Sequence, residues 1–267
     1  MKLFCRKFGN GPPLFILHGL YGSSDNWVSI AKNIGDSYTV YLPDQRNHGQ
    51  SPHAEVHDYN SMRDDLFELA GDLGLRKFFL AGHSMGGKTA IAFAAKWPEM
   101  IYGLLIADIS PFTSEISQII AYNQHLTILK TILSIDLSKV RSRSEAESLL
   151  FEKIPSEKVR GFILKNLQRK AGDIFTWKLN ASSLYNNLDN IMAAIDLEEG
   201  LSEPITGFPV IFLTGSYSNY LTASDVVSIR KVFPASEFIV IHGAGHWIHA
   251  DKPDEVIKQL RMLLNDN

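Results

Sequence analysis

The chain has 267 residues, of which 45% are hydrophobic and 21% charged, and its formal net charge is −3. This length is sufficient for one large α/β domain with its own core. The near-neutral balance argues against nucleic acid or an anionic membrane as a partner. A single cysteine, Cys5, excludes an internal disulfide. We recognise no signal peptide and no apolar run long enough to insert in a membrane, so a cytoplasmic location is the default expectation.

Strand and helix patterns alternate along the first part of the chain. Apolar runs bounded by turn residues predict strands, and apolar residues at helical spacing predict the helices between them. The predicted strands are 2–8, at a sheet edge, then 13–17, 38–42, 78–81 and 101–106, and the predicted helices are 24–35, 59–73 and 85–97. This alternation indicates an α/β fold, with a doubly wound, mostly parallel sheet covered by helices on both faces.

The alternation of strands and helices stops between Thr113 and Thr206, where no segment predicts a convincing strand. Amphipathic helical stretches lie near 114–134, 143–153, 156–170 and 187–198. Alternation then resumes with a strand at 208–213, a helix at 223–233, a strand at 237–241 and a closing helix at 253–264. We therefore predict an α/β core formed by residues 1–111 and 207–267, with a helical cap inserted at residues 112–206.

A nucleophile elbow is predicted directly after the strand at 78–81. Gly82-His83-Ser84-Met85-Gly86 matches G-x-S-x-G, and an Ala-rich helix follows it. The sharp turn strains its central residue, so small neighbours such as Gly82 and Gly86 are needed to avoid clashes. Ser84 is the candidate nucleophile. The amide of Met85, at the helix N-terminus, is a candidate donor to an oxyanion.

A serine nucleophile requires a base and an acid. His246 is the predicted base, because it follows the last strand in a glycine-containing loop and precedes the closing helix. The loop 215–220, a common place for the acid, has no carboxylate, and the first one after it is Asp225. Asp108 ends the strand that follows the elbow, and we predict it as the acid. A turn or helix cap beside Pro111 is the alternative interpretation of Asp108.

Two further loops end neighbouring strands. The second oxyanion donor is expected in the loop after the strand at 13–17, where we choose the amide of Leu20. His18 is interpreted as a structural residue that holds this loop through a hydrogen bond. The segment 46–49, Arg-Asn-His-Gly, either borders the site or forms a hydrogen-bonded loop with a turn at Gly49.

The elbow stretch also matches the phosphate-binding motif of NTPases. Gly82 and Gly87-Lys88-Thr89 satisfy G-x-x-x-x-G-K-[ST], and the strand ending at Asp108 could supply a magnesium ligand. This interpretation leaves the loops of His18 and His246 unexplained. The histidines near the end of the chain lack the H-E-x-x-H spacing of a zinc site. We therefore expect no metal and no cofactor.

Four motifs together resemble the α/β-hydrolase superfamily and, more narrowly, the small YbfF-type bacterial esterases and their mitochondrial abhydrolase relatives. The motifs are His18-Gly19-x-x-Gly22-Ser23, Asp44-x-Arg46-Asn47-His48-Gly49-x-Ser51, Gly82-His83-Ser84-Met85-Gly86-Gly87-Lys88 and Gly243-Ala244-Gly245-His246-Trp247-x-His249-Ala250. The resemblance covers both ends of the chain and is weak across the cap. It implies hydrolysis of esters and thioesters, including acyl-CoA in some members, and an acid at Asp108. It also implies that Gly87-Lys88-Thr89 simply begins the elbow helix.

We predict a serine hydrolase that cleaves small carboxylic esters or thioesters through an acyl-enzyme. One alternative is a receptor of the same fold with little turnover, because a fold does not fix a function. The others are a serine hydrolase acting on C–C bonds and the nucleotide binder described above. Apolar cap residues either line an acyl channel or only pack; they include Phe112, Tyr122, Trp177 and Tyr185.

Overall fold

The computed structural model describes residues 1–112, 115–172, 174–195, 197 and 203–265. Its strands are β1 (Cys5–Phe8), β2 (Pro13–Leu17), β3 (Thr39–Pro43), β4 (Phe78–His83), β5 (Ile101–Ala107), β6 (Leu167–Lys170), β7 (Ile174–Trp177), β8 (Val210–Gly215) and β9 (Glu237–Ile241). Seven of them form one sheet in the order β1-β3-β2-β4-β5-β8-β9. Edge strand β1 runs antiparallel to β3, and the other pairs are parallel. The predicted mostly parallel sheet is confirmed.

Helices connect the parallel strands and cover both faces of the sheet. They are α1 (Val28–Asn33), α2 (Tyr59–Asp72), α3 (Met85–Lys96), α4 (Glu115–Ser134), α5 (Arg143–Phe151), α6 (Glu157–Leu164), α7 (Ala181–Asn186), α8 (Leu188–Met192), α9 (Ala223–Val232), α10 (Ile248–Asp251) and α11 (Pro253–Asn265). Short 3₁₀ turns at Ser24–Trp27 and Pro98–Met100 precede α1 and β5. The core elements therefore lie where the sequence predicts them, with small shifts at their ends.

The alternation of side chains along each strand divides the hydrophobic core into two layers. In β2, Phe15 and Leu17 belong to the layer that also contains side chains of α2 and α3. Leu14 and Ile16 belong to the opposite layer, with side chains of α1 and α11. Successive residues of a strand point to opposite faces, so a central strand must be apolar throughout when both faces are covered.

The segment between β5 and β8 is mainly helical, as predicted, but it also contains the antiparallel hairpin β6–β7. The expectation of a strand-free cap is therefore wrong, and the helix predicted over 156–170 ends at Leu164. Asn166 terminates it: its amide and side chain bond to the carbonyl of Ile163, and its carbonyl accepts from Lys178. The predicted helix 187–198 corresponds to α8, which ends at Met192.

Parts of the predicted cap lie outside the described residues, namely positions 113, 114, 173, 196 and 198–202. The described cap packs on the core rather than forming a core of its own. Ile128, Leu129, Leu184 and Leu188 belong to the same apolar cluster as the core helices α2 and α3. We propose that residues 112–206 form a cap inserted in a core of residues 1–111 and 207–267.

None of the helices in the described ranges combines the length and the hydropathy that crossing a membrane requires. The cytoplasmic location stays a prediction.

Candidate active site

The turn between β4 and α3 places Ser84, which is half-buried, at the strand end. Ser84 has φ 52° and ψ −121°, a conformation that L residues rarely adopt. The turn is tightly packed: a Cβ on Gly82 would lie 2.2 Å from the Gly86 carbonyl oxygen, and one on Gly86 would lie 2.5 Å from the Leu17 carbonyl oxygen. Glycine is therefore required at both positions, which is the steric pattern that the sequence predicts for a nucleophile elbow.

A continuous chain of hydrogen bonds joins Ser84, His246 and Asp108. The imidazole Nε2 lies 3.0 Å from Ser84 Oγ, and Nδ1 lies 2.7 Å from Asp108 Oδ2. A carboxylate only accepts hydrogen bonds, so the ring donates from Nδ1 and its Nε2 is free to accept from the serine hydroxyl. Asp108 is completely buried, whereas 22% of the His246 side chain is exposed. The three residues from distant parts of the sequence thus have the connectivity of a serine triad.

Residues at the end of β8 hold the Asp108 carboxylate. Oδ1 accepts from the Gly215 amide at 3.0 Å and from the Thr214 hydroxyl at 3.1 Å, and Oδ2 accepts from the Ser218 hydroxyl. These hydrogen bonds compensate for the burial of the carboxylate. Sequence reasoning considers Ser218 only as a position that lacks a carboxylate. The signal that it missed is the pairing of β5 with β8, which brings this loop next to Asp108.

Asp225, the alternative acid, has a different structural role. It is the third residue of α9, and its carboxylate accepts from the amide of Thr222 at 2.7 Å in a capping box. It also accepts from the Ser110 hydroxyl at 2.9 Å. These hydrogen bonds, together with the helix N-terminus, stabilise the negative charge of the Asp225 carboxylate.

Two histidines shape the loop that carries Leu20. His18 accepts from the Gln45 amide at 2.9 Å and donates from Nδ1 to the Gly19 carbonyl, 2.9 Å away. His48 accepts from the Tyr21 amide at 3.2 Å and donates to the Arg46 carbonyl. His18 therefore has the structural role that the sequence suggests, and His48 has a similar role.

The same loop lies against the elbow. A Cβ on Gly19 would lie 3.2 Å from the Cβ of Ser84. The Tyr21 amide is already bonded to His48. The amide of Met85 is at the first position of α3, where helical amides have no partner within the helix. The arrangement is compatible with Leu20 and Met85 as the two oxyanion donors.

A family model described as the alpha/beta hydrolase fold matches residues 12–253. The chain belongs to the α/β-hydrolase family. A Danio rerio relative named sn-1-specific diacylglycerol lipase ABHD11 is 38% identical over 94% of this chain and 78% of its own length. Escherichia coli esterase YbfF is 30% identical over 96% of this chain and 94% of its own length. A solved structure named marine microorganism esterase has a TM-score of 0.93 at 42% identity, covering 98% of this chain and 99% of that one.

These matches confirm the predicted family, and the names of the relatives support the prediction of a carboxylesterase-type hydrolase. The family also explains why the elbow stretch matches a phosphate-binding motif. In this hydrolase, Gly87-Lys88-Thr89 lies inside α3, as the resemblance implies. The Lys88 ammonium donates to the Ala193 carbonyl at 2.6 Å, and the Thr89 hydroxyl donates to Gln45 at 3.0 Å. Both side chains are buried and engaged with protein groups, so neither is presented to a phosphate.

The segment 46–49 of this hydrolase is a structural loop that touches both the oxyanion loop and the cap. Arg46 forms a buried ion pair with Asp65, at 2.6 Å. Asn47, with φ 65°, accepts at its carbonyl from the Asn180 amide and donates from its side chain to Ser183. The contacts of segment 46–49 support the second of the two interpretations that the sequence leaves open, a hydrogen-bonded structural loop. Through His48, which bonds to the Tyr21 amide, this loop also holds the oxyanion loop in place.

Aromatic rings surround His246. The Tyr220 ring stacks on the imidazole with 3.9 Å between centroids, and His83 donates to the His246 carbonyl at 2.7 Å. Burial and the proximity of His246 lower the pKa of His83 to about 3, so His83 is neutral. On the cap side, His125 Nδ1 lies 3.2 Å from the Tyr21 hydroxyl, and burial lowers the pKa of His125 to about 4. His246 is thus surrounded by neutral rings.

Within the described ranges, no three His, Cys, Asp or Glu side chains are arranged to hold a metal ion. The four aromatic residues singled out in the cap region, Phe112, Tyr122, Trp177 and Tyr185, are partly buried and pack against the core cluster. Packing is therefore their observed role, and an acyl channel lined by them stays a prediction.

Proposed function

We propose that this chain is a serine hydrolase that cleaves carboxylic esters or thioesters through an acyl-enzyme on Ser84. The observation that supports it best is the hydrogen-bonded chain from the Ser84 hydroxyl through His246 to Asp108. A serine hydroxyl is a weak nucleophile until a neighbouring base removes its proton. His246 Nε2, 3.0 Å away, is in reach to do so.

In the proposed first half-reaction, Ser84 Oγ attacks the carbonyl carbon of the substrate and its proton passes to His246 Nε2. The Asp108 carboxylate keeps the imidazole in the Nδ1–H tautomer and stabilises the imidazolium. The amides of Leu20 and Met85 bind the negative oxygen of the tetrahedral intermediate. The imidazolium then donates its proton to the leaving oxygen or sulfur, which departs as the alcohol or thiol.

In the second half-reaction, water attacks the acyl-enzyme with His246 again as the base. The proton returns to Ser84 Oγ, and the carboxylic acid is released. The substrate is expected to be a small molecule, because the cap covers the strand ends around the site. Cap closure would exclude bulk water from the acyl-enzyme.

A fluorophosphonate probe tests the nucleophile. We expect the wild type to be labelled on the peptide that contains Ser84, and Ser84→Ala to be unlabelled and to lose about 10⁶ in kcat. Labelling of another residue, or near-normal activity of Ser84→Ala, would reject the mechanism. If the probe labels Ser84 but no ester or thioester is turned over, the receptor alternative replaces the enzyme.

A further inference from the structure

A cavity of about 310 Å³ lies between the cap helix α6 and the turn that follows His246. Its cap wall includes Lys158, Phe162 and Lys165, and its core wall includes Asn26, Trp247 and His249. Trp247 directly follows His246 in the chain, with 6.4 Å between the ring centroids. The cavity is thus next to the proposed catalytic imidazole but is not formed by the triad.

Two cations lie along the aromatic wall of this cavity. The Lys158 ammonium is 5.1 Å from the Trp247 ring centroid, and the Lys165 ammonium is 5.9 Å from that of Phe162. The two rings are themselves 5.4 Å apart. Lys158 is paired with Asp251, whose other carboxylate oxygen accepts from the Gly245 amide. Lys165 has no carboxylate partner within the described part of the chain, so its charge is available to a ligand.

His249 is the buried polar residue of the core wall. Only 8% of its surface is exposed, and its ring stacks on Trp27 with 4.6 Å between centroids. Its Nδ1 is buried and has no hydrogen-bond partner among the residues that the structure describes. A buried N–H without an acceptor is costly, so the proton belongs on Nε2, which leaves that N–H as the donor of the ring. The cavity therefore offers cations, a neutral donor and aromatic faces.

The mechanism of the triad indicates which part of the substrate lies near this cavity, namely the leaving group. His246 donates its proton to the leaving group, so the leaving group must lie on the imidazole side of Ser84. Trp247 and His249, which line the cavity, follow His246 in the chain, so the cavity borders the imidazole side of the triad. We propose that it binds an anionic group at the far end of the leaving group, with Lys165 as its main cation and the Phe162 and Trp247 rings against the preceding stem. This inference rests on the proposed function and specifies its substrates.

A matched substrate series tests the inference. Butyryl thioesters of ω-mercaptoalkanoic acids of increasing chain length are compared with the corresponding primary amides, which have the same shape without the charge. We expect kcat/KM to favour the acid over the amide by about tenfold at one chain length, as for a charge-assisted hydrogen bond. Lys165→Gln should lower kcat/KM for the acids to the level of the amides and so abolish this preference. Lys170→Gln, which removes an exposed lysine of β6, is the control and should retain the preference.

Calorimetry separates this inference from the proposed function. The preferred acid thioester and its amide are each titrated into Ser84→Ala and into Ser84→Ala combined with Lys165→Gln, so that binding is measured without turnover. We expect binding to be about tenfold weaker without Lys165. Equal affinities for acid and amide, or an equal loss for both in Lys165→Gln, would overturn the anion site even if the enzyme hydrolyses thioesters. Conversely, charge-selective binding without turnover in the wild type would reject only the proposed function.

Discussion

Ser84 and Asp108 share an unusual backbone conformation. Their φ angles are 52° and 54°, although neither is glycine. They follow the neighbouring strands β4 and β5, and the Ser84 amide donates to the Ala107 carbonyl at 3.0 Å. Such conformations cost about 1–3 kcal/mol each and persist only where the surrounding structure imposes them. Here they turn both side chains toward His246, so two of the four non-glycine residues with positive φ in the described chain are proposed catalytic residues.

The choice between two acids gives a direct prediction. Asp108→Asn preserves the shape but favours the wrong imidazole tautomer, and a loss of about 10⁴ in kcat is expected. Asp225→Asn should leave kcat nearly unchanged, because Asp225 caps α9. Steady-state kinetics of both variants, with circular dichroism to verify folding, measure the contrast. A folded Asp108→Asn enzyme with most of its activity, beside an inactive Asp225→Asn, would assign the acid to the later position.

Motifs predict some of these residues better than others. Ser84 can be predicted because a nucleophile elbow requires small neighbours. His246 can be predicted because it follows the last strand in a glycine-containing loop. Asp108 follows from its place after the elbow strand. Ser218 and His48 could not be assigned their roles, because one hydroxyl or imidazole in a loop has no characteristic spacing. Their roles depend on which strand ends are adjacent, and only the fold determines that.

At the scale of elements, the cap is where sequence reasoning is weakest. The hairpin β6–β7 has strands of four residues, too short for a clear alternating pattern. Apolar residues still recur at helical spacing beyond Leu164, so the sequence predicts that the preceding helix continues, but hydrogen bonds of Asn166 end it. Its side chain donates to the Tyr21 carbonyl at 2.7 Å. A cap helix that ends because of a contact with the core cannot be located from local propensity.

Lys88 connects two elements, the elbow helix α3 and the end of α8. Its ammonium donates to the Ala193 carbonyl and lies 5.5 Å from the Tyr59 ring centroid, and Tyr59 in turn donates to the Ile191 carbonyl. Burial lowers the pKa of Lys88 from 10.5 to about 8. A buried ammonium with these partners holds the cap end to the core but also carries a desolvation cost.

The lowered pKa predicts how stability depends on pH. Between pH 8 and 10.5 Lys88 is neutral in the folded state and protonated in the unfolded state. The unfolded state then binds more protons than the folded state. The contribution of Lys88 to the free energy of unfolding therefore increases as pH rises through this range. The stability of the wild type relative to Lys88→Met should rise by up to about 3 kcal/mol across this window and be flat below it. Urea unfolding at several pH values measures the difference.

Lys96 on the same helix is the matched control, because 45% of its side chain is exposed. The stability difference between the wild type and Lys96→Met should show no comparable rise. A flat difference for Lys88→Met over the whole range would mean that water reaches the ammonium, and that Lys88 does not act as a buried tether.

At the scale of the whole molecule, the order of strands brings the site together. β4, β5, β8 and β9 are neighbours, and residues at or just after their ends supply Ser84, Asp108, its hydroxyl partners and His246. The alternation of strands and helices predicts this parallel arrangement because parallel strands end at the same sheet edge. The packing of the cap over that edge could not be predicted, since it depends on side-chain contacts between distant segments.

The shared apolar core of cap and hydrolase fold predicts a preference for acyl chain length. Cap residues such as Ile128 and Leu184 belong to the same cluster as Met85, beside the nucleophile. An acyl chain entering between them would gain about 0.8 kcal/mol for each buried methylene. We expect kcat/KM for p-nitrophenyl hexanoate to equal or exceed that for the acetate, with Ser84→Ala as the background control. A steep decrease from acetyl to hexanoyl would contradict an apolar acyl site beneath the cap.

The central claim is that turnover passes through an ester of Ser84. The most direct measurement is mass spectrometry of the enzyme quenched with acid during turnover of p-nitrophenyl hexanoate, followed by peptide mapping. Asp108→Asn, in which a slower base prolongs the intermediate, is measured in parallel. The account predicts a hexanoyl adduct on the peptide containing Ser84 in the wild type and none in Ser84→Ala. An active wild type with no adduct at any quench time in either enzyme, or with the acyl group on another residue, would contradict it.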